Sequence, residues 1–173
     1  VRNFSSRTLP SSVVLAAILL AASLTGFCQS APSIVTAQQA AKLLPDAVFF
    51  RGQSASVQAR NSAGVHFTND RYMLATLVDT SGYSSGVQQK YQAYLITEVA
   101  LDFSGQTLKP GAYGVGIVGD HFLVMDIAAN DLITAPVQHD AEIKRPGPLQ
   151  LNADGDHYRL YFGRNYVSFA QAK

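Results

Sequence analysis

Apolar and polar positions change their rhythm twice along this chain. Val13 to Leu24 is an almost unbroken apolar run, interrupted only by Ser23. Ser33 to Leu44 follows as a segment of good helix formers, and its spacing predicts a helix with Thr36 as N-cap and a stop before Pro45. From Val48 onward, short β-branched and apolar runs alternate with turn residues at close intervals. That rhythm predicts strands near Val48–Phe50, Ala55–Arg60, Tyr72–Asp79, Tyr91–Phe103, Ala112–Val118, Phe122–Ala128, Leu149–Leu151, His157–Phe162 and Tyr166–Phe169. The expected fold is all-β and mainly antiparallel. A β-sandwich is favoured over a closed barrel, with one short N-terminal helix.

Within Tyr91–Phe103, strict alternation puts Tyr91, Ala93, Leu95, Thr97, Val99 and Leu101 on one face. Val87, Tyr91, Tyr94 and Leu95 also fit helical spacing, so this segment can begin as a helix and continue as a strand. Lys109-Pro110-Gly111 reads as a type II turn. Asp154-Gly155 reads as a two-residue hairpin of type I′. Thr80–Lys90, rich in Ser and Gly, and Thr134–Pro148, with three prolines, read as surface loops. No internal repeat or second domain is visible. The expected division is 1–30 signal peptide, 31–47 short helix and lead-in, and 48–173 a single β domain.

The N-terminal run defines the expected location. Arg2 and Arg7 precede twelve residues of apolar sequence, too short for a spanning helix of about 20 residues, and Cys28-Gln29-Ser30 offers small residues for a signal peptidase. Cleavage is expected between Ser30 and Ala31, with export to the periplasm or outside the cell of a bacterium. An uncleaved anchor, or lipidation at Cys28, is the alternative. Phe27 stands where a lipobox wants a small residue. Cys28 is the only cysteine, so a chain beginning at Ala31 has no thiol for disulfide, redox or thiolate-metal chemistry. Arg2 and Arg7 are two of the 13 basic residues. Without them the balance against 12 acidic residues is slightly negative. No basic cluster of the kind phosphate neutralisation needs remains, and no nucleic-acid partner is expected. Membrane contact is expected only through the signal peptide, unless Cys28 is lipidated.

Leu108-Lys109-Pro110-Gly111-Ala112-Tyr113-Gly114-Val115 resembles the L-x-x-G-x-Y strand lead-in of exported β-sandwich families, such as carboxypeptidase regulatory-like domains. The resemblance implies a β-sandwich, mostly of a non-catalytic kind. It covers about eight residues and carries no site residue with it.

Several motifs could carry chemistry, and each meets a structural objection. Gly82-Tyr83-Ser84-Ser85-Gly86 matches the G-x-S-x-G nucleophile elbow, and Asp126, Asp131, His139 and His157 follow it. The βαβ alternation that would build the elbow is missing. Gly114-Val115-Gly116-Ile117-Val118-Gly119 matches G-x-G-x-x-G, but falls inside a strand rather than opening a helix. Asn152-x-Asp154-x-Asp156 begins like a calcium loop, with His157 and Gly163 where Gly and Glu are needed. His139-Asp140-x-Glu142 and Asp120-His121 are the remaining metal candidates, each short of three or four converging ligands. His66 and His157, beside Phe67 and Tyr158, read as edge-strand residues.

The eight tyrosines, with no tryptophan in the chain, point elsewhere. Tyr72, Tyr83, Tyr91 and Tyr94 are candidates for a binding platform, since tyrosine joins apolar area to a hydroxyl. The rival reading is the rim of a β core. Gly114 and Gly116 share one strand face and predict close approach by an aromatic ring of Tyr91–Phe103 or Phe122–Ala128, a ligand or a partner's edge. The leading expectation is a non-catalytic binding or interaction module of the cell envelope, with an unknown protein or small-molecule partner and no cofactor or metal. The alternatives are a β-barrel holding a small apolar ligand, and a small hydrolase using Ser84 or a His139-centred metal site.

Overall fold

The structure, a computed structural model, describes residues 31–68 and 70–173. The expected signal peptide, its cleavage after Ser30 and the anchor at Cys28 lie outside these residues. The strands are β1 (Ser33–Val35), β2 (Ala47–Phe50), β3 (Gln53–Phe67), β4 (Arg71–Val78), β5 (Ala93–Thr97), β6 (Leu101–Phe103) and β7 (Gln106–Leu108). They continue with β8 (Gly111–Val118), β9 (His121–Met125), β10 (Asp131–Pro136), β11 (Gln138–His139), β12 (Gln150–Asp154), β13 (His157–Phe162) and β14 (Asn165–Gln171). Helices α1 (Ala37–Ala40) and α2 (Ser85–Lys90) complete the set.

The strands form two open antiparallel sheets. The larger runs β1-β3-β4-β5-β8-β9-β10, with β2 added to β3. The smaller runs β12-β13-β14-β6-β7, with β11 added to β14. Neither closes on itself, so the fold is a sandwich and the barrel alternative does not apply. The main core lies between the sheets. Val65, Met73, Leu95, Val115, Phe122 and Val124 of the larger sheet meet Leu101, Phe103, Leu151, Leu160, Val167 and Phe169 of the smaller.

The expected helix over Ser33–Leu44 is shorter than its propensity suggests. Ser33–Val35 pairs with Gly64–His66 of β3 as β1, because an antiparallel partner is available there. Thr36 caps α1 as expected, in a capping box with Gln39. After Ala40 the chain continues only as turns to Leu44. The lead-in is thus part of the sandwich, and Ala40 packs with Val35 and Leu74.

The expected strand Tyr91–Phe103 divides in two. Tyr91 is the C-cap of α2, β5 belongs to the larger sheet and β6 to the smaller. The break falls at buried Thr97, whose Oγ1 donates to Val99 O at 2.7 Å and accepts from Val99 N at 3.3 Å. Alternation continues through this corner, so periodicity alone cannot reveal it.

Other expected loops and turns are also revised. Thr80–Lys90 contains α2, with Tyr83 and Val87 buried. Thr134–Pro148 contributes the end of β10 and β11, and Pro136 is tolerated because β10 pairs only with β9. The Asp154–His157 hairpin has Gly155 and Asp156 at its centre. Only Gly155 has positive φ, at 61°, which makes the turn II′ rather than I′. Gly111 is nearly extended, with φ 159°, and opens β8 instead of serving as the third residue of a type II turn. The reason is Tyr113, whose hydroxyl donates to Lys109 O at 2.8 Å. That ring passes so close to Gly111 that a β carbon there would lie 2.8 Å from Tyr113 Oη. A tyrosine hydroxyl returning to the backbone a few residues upstream is the tyrosine corner of β-sandwiches, and it gives the L-x-x-G-x-Y pattern a local mechanical purpose.

Candidate functional site

A second apolar cluster lies on the outer face of the larger sheet. The first part of β3 pairs with β2, and the register slips between Val57 and Ser62 before β3 continues along β4. Phe50 from β2 covers Gly114 of β8. Val48, Ala55, Val78, Tyr83, Val87, Tyr91, Tyr94 and Met125 complete the cluster. The sandwich therefore carries a third, partial layer made of the β2–β3 hairpin and α2.

This layer gathers most of the residues singled out in the sequence. Phe50 stacks on Tyr91 with ring centroids 4.0 Å apart, and Tyr83 meets Tyr91 edge-on at 5.4 Å. Tyr83, Tyr91 and Tyr94 are buried; the Tyr83 and Tyr91 rings face each other and Phe50, and Tyr94 packs in the same cluster. Gly114 lies under the Phe50 ring. Gly116 lies under the end of α2, where a β carbon would come within 3.0 Å of Lys90 C and closer to its carbonyl oxygen. The two glycines are thus covered by β2 and α2, not by the strands expected from the sequence. Burial raises the pKa of Tyr91, and neighbouring Tyr83 and Tyr94 raise it further. Among the described residues, the Tyr91 hydroxyl is the one buried side-chain polar atom without a hydrogen-bond partner.

Tyr72 stands apart, in a cluster with Val35, Ala40 and Leu74. Its ring stacks on His66 at 4.3 Å, its amide donates to Glu98 Oε2 at 2.9 Å, and its hydroxyl lies 3.4 Å from Asp70 Oδ1.

Next to the aromatic layer is a half-open cleft of about 330 Å³, lined by Arg51, Ser84, Gly86, Val87, Lys90, Met125 and Ala129. Its floor is apolar, since Val87 and Met125 also belong to the second cluster. Three pieces of chain make it. Arg51 sits with Gly52 at the tip of the β2–β3 hairpin, and both have positive φ (45° and 79°), as a type I′ turn requires. Tyr83 fastens that hairpin, with its hydroxyl 3.0 Å from Phe50 O and 3.1 Å from Gln53 O, and its own carbonyl accepts from Gln88 Nε2 at 2.8 Å. The Arg51 amide donates to Ile127 O at 2.8 Å, joining the hairpin to the 126–130 loop. Asp126 closes that loop by accepting from the Ala128 and Asn130 amides and from Asn130 Nδ2. The Asn130 bonds hold its carboxyl below the usual range. Ala129, with φ 70°, is held in a left-handed conformation at the rim.

The polar groups of the cleft are donors. Ser84 is the N-cap of α2, but its side chain makes no capping bond. Among the described residues, neither its hydroxyl nor the Arg51 guanidinium has a side-chain hydrogen-bond or ion-pair partner. Lys90 pairs with Asp131 at 2.8 Å. No histidine is among the residues lining the cleft. His139 lies in β11 of the smaller sheet, with Nδ1 2.8 Å from Asn165 Oδ1. Asp140 accepts from the Tyr161 hydroxyl and from the amides of Glu142 and Ile143, and Asp154 is held by Arg159. The G-x-G-x-x-G glycines lead into the β8–β9 turn, not a helix. Among the described residues, no three His, Cys, Asp or Glu side chains are grouped as a metal site.

Sequence reasoning missed Arg51, Lys90, Met125 and Ala129. Arg51-Gly52 between two short apolar runs was the available signal, a two-residue hairpin that fixes the arginine at its tip. No protein family, curated protein or solved structure matches this chain.

Proposed function

We propose that this protein is an exported, non-catalytic binding module of the bacterial cell envelope, and that the cleft beside α2 is its ligand seat. The observation that carries this reading is the pairing of an apolar floor, Val87 and Met125, with exposed donors that have no protein side-chain partner among the described residues, Arg51 and Ser84, in an open cleft. Small-molecule sites combine these elements, with apolar walls supplying affinity and a few placed polar groups fixing orientation. The residues lining the cleft with Ser84 include no histidine or carboxylate to serve as its base, and Lys90 is paired with Asp131, which supports a hydrogen-bonding role over a nucleophilic one.

The purified protein should give no labelling of Ser84 by a fluorophosphonate. A thermal-shift screen of a chemically mixed small-molecule library should return saturable ligands whose effect disappears in Gly86→Trp. Gly86 lines the cleft, and a β carbon there meets nothing within 4 Å, so the indole is accommodated and obstructs the site. Covalent labelling of Ser84, or a screen in which no ligand depends on the cleft, would overturn the reading.

A further inference from the structure

We infer that the cleft binds a small carboxylate with a short apolar tail. This rests on the binding reading above and names the ligand class for the same site. The argument begins with charge. Two cations line the cleft, and Lys90 is already neutralised by Asp131. One unbalanced positive charge remains on Arg51, which matches a monoanion such as a carboxylate better than a phosphate dianion.

Geometry favours the same ligand. A guanidinium presents parallel N–H donors that fit both oxygens of a carboxylate. Ser84 adds a hydroxyl donor from the opposite piece of chain. The backbone that carries Arg51 is fixed: the I′ turn, the Tyr83 hydroxyl and the Arg51 amide bond to Ile127 hold its Cα at the cleft, from which the exposed side chain extends. The buried Val87 and Met125 give the cleft a floor that hydrogen-bonds nothing, and the Ala129 methyl at the rim adds to this surface suited to hydrocarbon. A volume of about 330 Å³ is at the small end of ligand sites, which run from roughly 300 to 1,000 Å³. The tail is therefore short.

The test compares hexanoate with hexanamide, which keeps shape and tail but removes the charge. Each is titrated into the ¹⁵N-labelled protein at neutral pH and followed by amide shifts. Hexanoate should shift the amides of Arg51, Ser84, Gly86 and Ala129 saturably, and hexanamide should not. Arg51→Gln should weaken hexanoate binding by about tenfold or more, and Arg51→Lys by less, since charge survives but the fork is lost. Unchanged denaturation midpoints in both variants keep the comparison free of folding defects. Equal binding of acid and amide at these residues would overturn the inference while leaving the cleft a ligand site. Chloride or inorganic phosphate displacing hexanoate at equal affinity would overturn it as well, reducing the cleft to a general anion site. Hexanoate shifts that miss these residues, or no shifts at all, would also overturn it, and the library screen would then judge the broader reading separately.

Discussion

The Phe50 ring lies over Gly114 so closely that a β carbon there would stand 2.7 Å from Cζ and nearer still to Cε2. A strand residue normally gains from a side chain, so glycine here is explained by the ring it admits. Gly114→Ala should displace Phe50 and cost about 1–3 kcal/mol by overpacking. Gly116→Val should cost at least as much, because its neighbour is the Lys90 carbonyl, which cannot rotate away as a side chain can. Urea denaturation of the two variants checks this, and an unshifted midpoint in Gly116→Val would mean that α2 does not pack there.

The two buried hydroxyls of the aromatic layer should behave oppositely. The Tyr83 hydroxyl shares its one proton between two carbonyls, and the Tyr91 hydroxyl bonds nothing among the described residues. Tyr83→Phe should lose about 1 kcal/mol, whereas Tyr91→Phe should be neutral or gain about 1 kcal/mol by removing a desolvated, unpaired group. Equal losses in the two variants would show that Tyr91 has a partner, and thermal melts decide the matter.

Alkali should unfold this domain through its tyrosines. Burial raises the pKa of Tyr83, Tyr91 and Tyr94 above the ordinary value, so the native state keeps protons that the unfolded state releases. The stabilisation these groups contribute is complete below about pH 10, the unfolded value, and is lost as pH rises above it. Denaturation midpoints should fall between pH 9 and 11 by less in Tyr91→Phe than in the parent. An identical fall in both would place the alkaline sensitivity elsewhere.

The sandwich was legible because β4, β8, β9, β13 and β14 are short runs rich in apolar, aromatic and β-branched residues that end at turn residues. The Thr36–Gln39 cap was legible for a different reason, since its bonds are local. What sequence could not show was the third layer. Tyr83, Tyr91, Tyr94 and Gly114 stood out individually, but nothing local says that β3 slips register after Val57 and that β2 folds over β8. Helix α2 was half legible: the spacing of Val87 and Tyr91 pointed to a helix running into a strand, but only Val87 of its own residues is buried, so no apolar stripe fixed its bounds. The cleft is harder still, because it forms where the β2–β3 turn, α2 and the 126–130 loop meet, joined by the Arg51–Ile127 backbone bond and the Tyr83 hydroxyl, and no local pattern announces that meeting.

The corner at Thr97 also bears on how the chain reaches this state. Because β5 and β6 part company there, the β6–β7 hairpin joins the smaller sheet only through β14, with Asp102 opposite Ala170. That contact must close a long loop of chain before it repays any ordering, the kind of pairing that slows folding in all-β proteins. The larger sheet can assemble by successive local hairpins from β3 to β5 and from β8 to β10. The β12–β14 meander of the smaller sheet can form locally too, and only the addition of β6–β7 to β14 waits on the distant contact, a consequence of the point where the chain changes sheets.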